Sequence, residues 1–480
     1  MGWLSLLPAG AVRTLRGFLL KQGRRMGGAG MLARSKSSAL RACMDAARHS
    51  PAYRTLLQES GINPSGIGPQ TDLTSLPVLT KANTFERFAL AQLARPLPAT
   101  TLADVLTSSG RGGRSYGFRL TAREQYEEAW FDIDLGLQDI FGVDDKPTLL
   151  VNCLPMGVVF RSRAVAVANV SVREDMACSI LRDVGPGFAQ TLLCTDPMFI
   201  RRLLDEAQAV GVDWRALGTS VILGEEVLVE TQRDYIAARM GIAIDHDPHR
   251  LVGSSFGVGE LGLNLLFETR ETLRMRRAMR GNPALAQLLC GGAPPDALPS
   301  VFCYNPLRTH LEVLNPDANG FGELCITMLG AGNVIALPRY ATGDMARLVP
   351  AQDAQQAAAL AGVQAPWLPV ALVQGRIKDR RTGLPSVEAI KELIYRDHAI
   401  ADQLSGAFRL EPAGDGRPRL TLQANMAQAA TLELARRLAQ LGAESGLANL
   451  QVQVLGPEEF PWRPALDYER KFDYLAAAPV

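Results

Sequence analysis

Apolar stretches of two different periods alternate through the middle of this chain, and that alternation restricts the fold more than any single residue does. Residues 147–154 and 219–223 are short apolar runs with strand character, while 198–210 between them repeats its apolar residues at helical spacing. Strands alternating with helices argue for α/β layers. Upstream, residues 31–60 read as helical and stop at Ser60-Gly61. After Gly375 the pattern starts again. Val387, Ile390 and Ile394 share a helix face, Leu420-Thr421-Leu422 reads as a strand, 430–441 as a helix, and 450–454 alternates as a strand does. A chain of 480 residues exceeds what one core usually supports. The expected architecture is a large multi-layer α/β N-terminal domain over 1–374 and a small α+β C-terminal domain over 375–480. The Ala/Gln-rich stretch 351–365 reads as an inserted helix or loop.

Charge and cysteine content narrow the class of function. Fifty Lys and Arg stand against 49 Asp and Glu, so no basic surplus points to nucleic acid as the main partner. The seven cysteines are scattered and odd in number, which fits reduced thiols and a cytoplasmic location rather than a disulfide framework. No apolar run is long enough to span a bilayer. Residues 1–30 mix apolar side chains with Arg13, Arg16, Lys21, Arg24 and Arg25. Their charge follows the apolar stretch, the reverse of a signal peptide. The segment reads as an amphipathic helix, resting either on a membrane or on its own domain. Only five histidines are present and no Ser-His-Asp order stands out, which disfavours an imidazole-based hydrolase.

Three segments carry chemistry. In Tyr340-Ala341-Thr342-Gly343-Asp344 a carboxylate follows a glycine turn, where Asp344 can accept hydrogen bonds from a vicinal diol such as ribose. Gly375-Arg376-Ile377-Lys378-Asp379 sets a guanidinium, an ammonium and a carboxylate just before a predicted helix. Thr107-Ser108-Ser109-Gly110-Arg111-Gly112-Gly113-Arg114-Ser115 is rich in small residues whose backbone N–H groups can face phosphate oxygens. It lacks the Gly-Lys-Ser/Thr ending of a Walker loop, and Arg111 suits bidentate phosphate contact. Residues 257–262 spell G-x-G-x-x-G. A dinucleotide site would also need an acid about twenty residues on, and 274–280 is arginine-rich instead.

With Ser50-Pro51-Ala52-Tyr53-Arg54, Leu76-Pro77-Val78-Leu79-Thr80-Lys81 and Gly253-Ser254-Ser255-Phe256-Gly257-Val258-Gly259-Glu260, these segments resemble the phenylacetate–CoA ligase branch of the adenylate-forming enzymes. The similarity runs from about residue 35 to the C-terminus. It implies activation of a carboxylic acid by ATP as acyl-AMP with release of pyrophosphate, then acyl transfer to a thiol, most readily coenzyme A. It also implies Mg²⁺ and a mobile C-terminal lid. By the same resemblance Thr107, Ser108, Ser109, Gly110, Arg111 and Gly112 cradle phosphate. Gly224, Glu225, Ser255, Phe256 and Gly257 surround the nucleotide, Phe256 covering adenine. Glu260 serves Mg²⁺, Asp344 and Arg376 hold the ribose, Lys378 is the hinge, and Lys471 is the catalytic lysine by position.

The chain departs from the family pattern at several points. Arg111 and Gly112 replace paired threonines, Gly259 replaces another, and the usual Gly-Lys near the end is missing. Some relatives hold a structural zinc, and Cys303 and His310 match its first two ligands. The downstream cysteine pair is absent, leaving Cys325 or Cys290 as substitutes, so zinc is not expected. Two other readings stay open: acyl transfer to a carrier protein or an amine, and a non-catalytic nucleotide- or acyl-binding relative. Neither the acid nor the oligomeric state is legible.

Overall fold

The computed structural model describes residues 6–108, 116–155, 157–292, 295–330, 332–413, 417–425, 431–460 and 474–475. Strands β1 (Leu102–Thr107) and β2 (Phe118–Ala122) form a separate hairpin. They are followed by β3 (Thr148–Asn152), β4 (Ala166–Asn169), β5 (Gln190–Thr195), β6 (Ser220–Leu223) and β7 (Val252–Val258). Then come β8 (Gly262–Phe267), β9 (Ser300–Tyr304), β10 (Thr309–Leu314), β11 (Gly322–Met328), β12 (Tyr340–Val349) and β13 (Val370–Arg376). All from β3 onward join one eleven-stranded sheet in the order β10-β11-β12-β13-β9-β8-β7-β6-β5-β3-β4. The five strands from β7 to β4 are parallel neighbours, and the rest of the sheet is antiparallel.

This explains the two kinds of apolar pattern. Every residue of β3 and of β5 is buried, because helices cover both faces of a parallel sheet and leave no face for polar alternation. The expected helix over 31–60 is divided in two, Ala9–His49 and Pro51–Glu59. Pro51 starts the second, where its missing N–H costs nothing, and Ser50 Oγ caps it by accepting from Tyr53 N at 3.2 Å. The first helix carries Arg16 to Asp134 (3.4 Å) and Asp144, and Arg24 to Asp139 (2.7 Å), so its basic side packs on the chain's own surface.

After β13 come the helix Val387–Tyr395 and a three-stranded sheet of β14 (Leu404–Pro412), β15 (Pro418–Ala424) and β16 (Gln451–Leu455). The helix Thr431–Glu444 links the parallel pair β15–β16. One apolar core runs from Leu193, Val221 and Ile236 in the parallel half into Ile390, Phe408 and Leu422 of this later segment. Glu392 adds a polar tie, accepting from Glu230 N (3.0 Å) and Thr231 N (3.1 Å) at an otherwise unsatisfied helix start.

Arg276, in the arginine-rich stretch after the G-x-G-x-x-G spelling, belongs to an interior ion network. Arg233 meets Glu268 at 2.7 Å and Glu230 at 2.9 Å, and Arg276 meets Glu230 at 3.2 Å, with all four side chains fully buried. Burial alone would raise the Glu230 carboxyl, but Arg233 and Arg276 bring it down to about 2 from 4.5. A depressed carboxyl contributes stability that is present above its ordinary value and is lost as pH falls from about 4.5 through about 2. Glu230→Gln is therefore expected to cost about 3–5 kcal/mol at pH 7, with the deficit against the parent protein shrinking below pH ~4.5. Thermal melts of both proteins across that range check it; a constant deficit would remove the ionic explanation.

Candidate active site

A cavity of about 660 Å³, of a size that takes a small-molecule ligand, opens beyond the carboxyl ends of β3 and β6, where the parallel strands meet the antiparallel half. Its charged wall is built by β12 and β13. Asp344 and Arg376 are direct cross-strand partners, and the register shifts between Asp344 and Ala346. Such a bulge re-aims a side chain. Gly343 supplies the turn at φ +77°, where a side chain would strain the backbone, and its N–H donates to Glu323 Oε1 at 3.1 Å. Asp344 is 8% exposed. Arg376 ends β13, and Lys378 follows in the short turn Ile377–Asp379; both line the cavity with Asp344.

The segment Leu76–Lys81 reaches this wall through a backbone clasp. Leu79 N donates to Arg339 O (2.9 Å) and Ala341 N donates to Leu79 O (2.8 Å), just ahead of the Thr-Gly-Asp turn. Arg339 locks the arrangement with two 3.0 Å bonds to Glu312 and one of 3.1 Å to Thr74 O. Thr80 and Lys81 are thereby delivered to the cavity.

Opposite, β7 and its turn present Ser255, Phe256, Gly257 and Glu260. Two glycines hold the β1–β2 hairpin against this turn. A Cβ on Gly259 would sit 3.0 Å from Ser108 Cα, so the space a threonine side chain would need is filled by backbone. The departure at Gly259 is thus a close approach as well as a lost hydroxyl. A Cβ on Gly117 would overlap Glu260, reaching 2.6 Å from its Cδ. Thr107 and Ser108 line the cavity, and Ser108 Oγ accepts from Gly117 N at 3.0 Å to close the hairpin base. Ser109, Gly110, Arg111, Gly112 and Lys471 lie outside the described residues.

Gly224 and Glu225 are both a strand-ending turn and cavity wall. Gly224 N donates to Thr195 O at 2.9 Å, and Glu225 takes a positive φ of 71°. The site also recruits residues that sequence reasoning passed over. Glu226 pairs with Lys391 Nζ at 2.7 Å and accepts from the Tyr474 hydroxyl. Glu388 packs so tightly on Gly375 (φ +88°) that a Cβ there would lie 3.1 Å from its Cδ, and burial pushes its carboxyl up. Glu323, Glu226, Glu388, Lys391 and Tyr474 come from separate elements, and no local spacing marks them. Thr80, Lys81 and Asp379 lay within quoted motifs.

The zinc candidates are not brought together. Cys303 on β9 is separated from Cys325 on β11 by two intervening strands, about 14 Å at ordinary strand spacing. Burial pushes both thiols up, which opposes the thiolate form, and lowers the His310 imidazole, whose Nδ1 lies 2.8 Å from Ser35 Oγ. Cys290 is also a buried thiol. Among the described residues no group of three His, Cys, Asp or Glu side chains is placed to hold a metal.

No protein-family model matches the chain, and no curated protein does. Solved structures do. 2-Hydroxyisobutyryl-CoA ligase in the postadenylation state, in complex with 2-HIB-AMP, superposes with a TM-score of 0.64 at 15% identity, over 94% of this chain and 90% of that one. An open conformation of that ligase with 2-HIB-AMP and CoA gives 0.54 at 15% identity, over 94% and 92%. Its thioesterification state gives 0.53 at 14%, over 94% and 90%. Across nearly its whole length, this chain has the fold of the AMP-forming acyl-CoA ligases that its motifs resemble.

Proposed function

We propose that the protein activates a carboxylic acid with ATP and passes the acyl group to coenzyme A. A carboxylate oxygen attacks the α-phosphorus, the bond to the β-phosphate oxygen breaks, and pyrophosphate leaves. The cosubstrate thiolate then attacks the acyl carbon and AMP leaves with the carboxylate oxygen. The observation that carries this reading is the cross-strand pair Asp344–Arg376 on the wall of a cavity that also holds Phe256 and Glu260. Asp344 accepts the ribose hydroxyls, Arg376 lies beside them, and Phe256 covers the adenine face. Main-chain groups near Thr107 and Ser108 face the phosphates.

Glu260 offers a hard oxygen donor, kept in place by the side-chain-free space at Gly117, and it fits Mg²⁺ bound jointly with phosphate oxygens. Bound there, the ion would neutralise phosphate charge. Lys378 is proposed as the pivot of the segment after Gly375, and Lys471 as a further cation for the adenylation step.

The cavity also suggests the kind of acid. Leu154, Val158, Phe160 and Leu263 line it and belong to one apolar cluster, a wall suited to an uncharged apolar acyl group. The test is ATP–pyrophosphate exchange against a panel of carboxylic acids, followed by thioester formation with and without CoA. Exchange that depends on an apolar monocarboxylic acid, with CoA consumed, is expected. Exchange with no acid dependence would overturn acid activation, and turnover that ignores CoA would overturn the acceptor.

A further inference from the structure

Two arginines beside the cavity form no ion pair among the described residues. Arg119 lies on β2, opposite Leu106 of β1, and Arg308 lies between β9 and β10. Both guanidinium groups converge on Gly262 at the start of β8. The point where a side chain at Gly262 would begin is 3.4 Å from Arg119 Nη1 and 3.7 Å from Arg308 Nη2. The two cationic ends therefore lie within about 7 Å of each other, close enough for appreciable repulsion at a half-buried site. Gly262 is followed by Leu263 and Asn264, which line the cavity, as Leu106 does.

Arg308 is anchored, donating to Asn264 O and Leu263 O at 3.2 Å each. Those carbonyls orient it without neutralising it. Arg119 has neither a hydrogen-bond nor an ion-pair partner among the described residues. Asp104 and Asp132 act on the pair only at longer range, and neither forms an ion pair with it. The sequence 109–115 contains Ser, Gly and Arg and no carboxylate. Burial pushes both guanidinium groups down, and Arg308 pushes Arg119 down further.

We propose that Arg119 and Arg308 form an anion site at the cavity rim that takes a phosphate group. Two guanidinium forks around a glycine match the several acceptor oxygens of a phosphate, which a single carboxylate would serve less fully. The carrier of that phosphate is either the thiol cosubstrate or the nucleotide with its pyrophosphate. Only this choice of carrier rests on the proposed reaction; the anion site itself can be tested without turnover.

Calorimetric titration of the full chain with CoA, pantetheine, ATP and pyrophosphate tests it, comparing the parent with Arg119→Gln, Arg119→Lys and Arg308→Gln. Arg119→Gln is expected to weaken one of the phosphate-bearing ligands by about 10- to 100-fold, to leave pantetheine unchanged, and not to lower the melting temperature. Arg119→Lys should recover part of the loss. Weaker CoA identifies the thiol cosubstrate as the carrier; weaker ATP or pyrophosphate identifies the nucleotide. Unchanged affinity for all three phosphate ligands in both glutamine variants would overturn the proposal. Absence of exchange activity in the parent would count against acid activation alone, since the titrations read binding directly.

Discussion

Asp344→Ala is expected to lower carboxylate-dependent ATP–pyrophosphate exchange by about 10²–10⁴-fold, the loss that follows from removing two hydrogen bonds to a charged acceptor. Asp344 sits where a glycine turn and a ladder irregularity aim one buried carboxylate at the cavity. Its removal leaves that wall without the carboxylate proposed to accept the diol, while the strands keep their backbone bonds. The melting temperature should therefore stay close to that of the parent. Asp344→Asn, which keeps the shape and loses the charge, should fall between the two. Exchange rates with saturating acid, together with thermal melts, decide the matter: an unimpaired Asp344→Ala enzyme would take the ribose role away from this residue.

Gly117→Ala should be nearly as damaging, although the change is one methyl group in a hairpin. The added carbon would overlap the Glu260 side chain, so either the carboxylate leaves its place or the hairpin lifts off the turn after β7. Both outcomes misplace groups proposed to face the phosphates, and a displacement of about 1 Å can cost about a hundredfold. The expected signature is a drop of that size in exchange with a raised Mg²⁺ requirement. Gly136, which has open space around it, serves as the control, since Gly136→Ala in a helix should be silent. If Gly117→Ala retains both the parent's exchange rate and its Mg²⁺ dependence, the overlap displaces neither the hairpin nor Glu260 and the prediction fails.

Much of the fold was legible because burial on both faces leaves a trace in the sequence. The runs around β3 and β6 and the helix Ile200–Val210 were read within a few residues of their ends, and so were β15, β16 and the helix between them. The insertion of β13 between β12 and β9 left no such trace, since pairing between distant segments has no local period. The site divides in the same way. Asp344, Arg376 and Lys378 could be singled out because turn glycines and charges are adjacent in the chain, and all three line the cavity. Lys391 was not: a lysine in a helix reads as a solvated surface residue until its 2.7 Å partner, Glu226, arrives from another element. Arg276 was hidden in the same sense, because an arginine-rich stretch gives no sign that a counter-charge such as Glu230 is also inside.

The ladder between β12 and β13 ends at the rung that joins Asp344 to Arg376, and the chain leaves the sheet in the residues that follow. A sugar bridging those two side chains would act as a splint across the last rung, and its departure would let the strand end fray. If Lys378 is the pivot proposed above, nucleotide occupancy and the stiffness of that joint become one mechanical variable. A loaded protein would turn about a clamped pivot, and an empty one about a loose one.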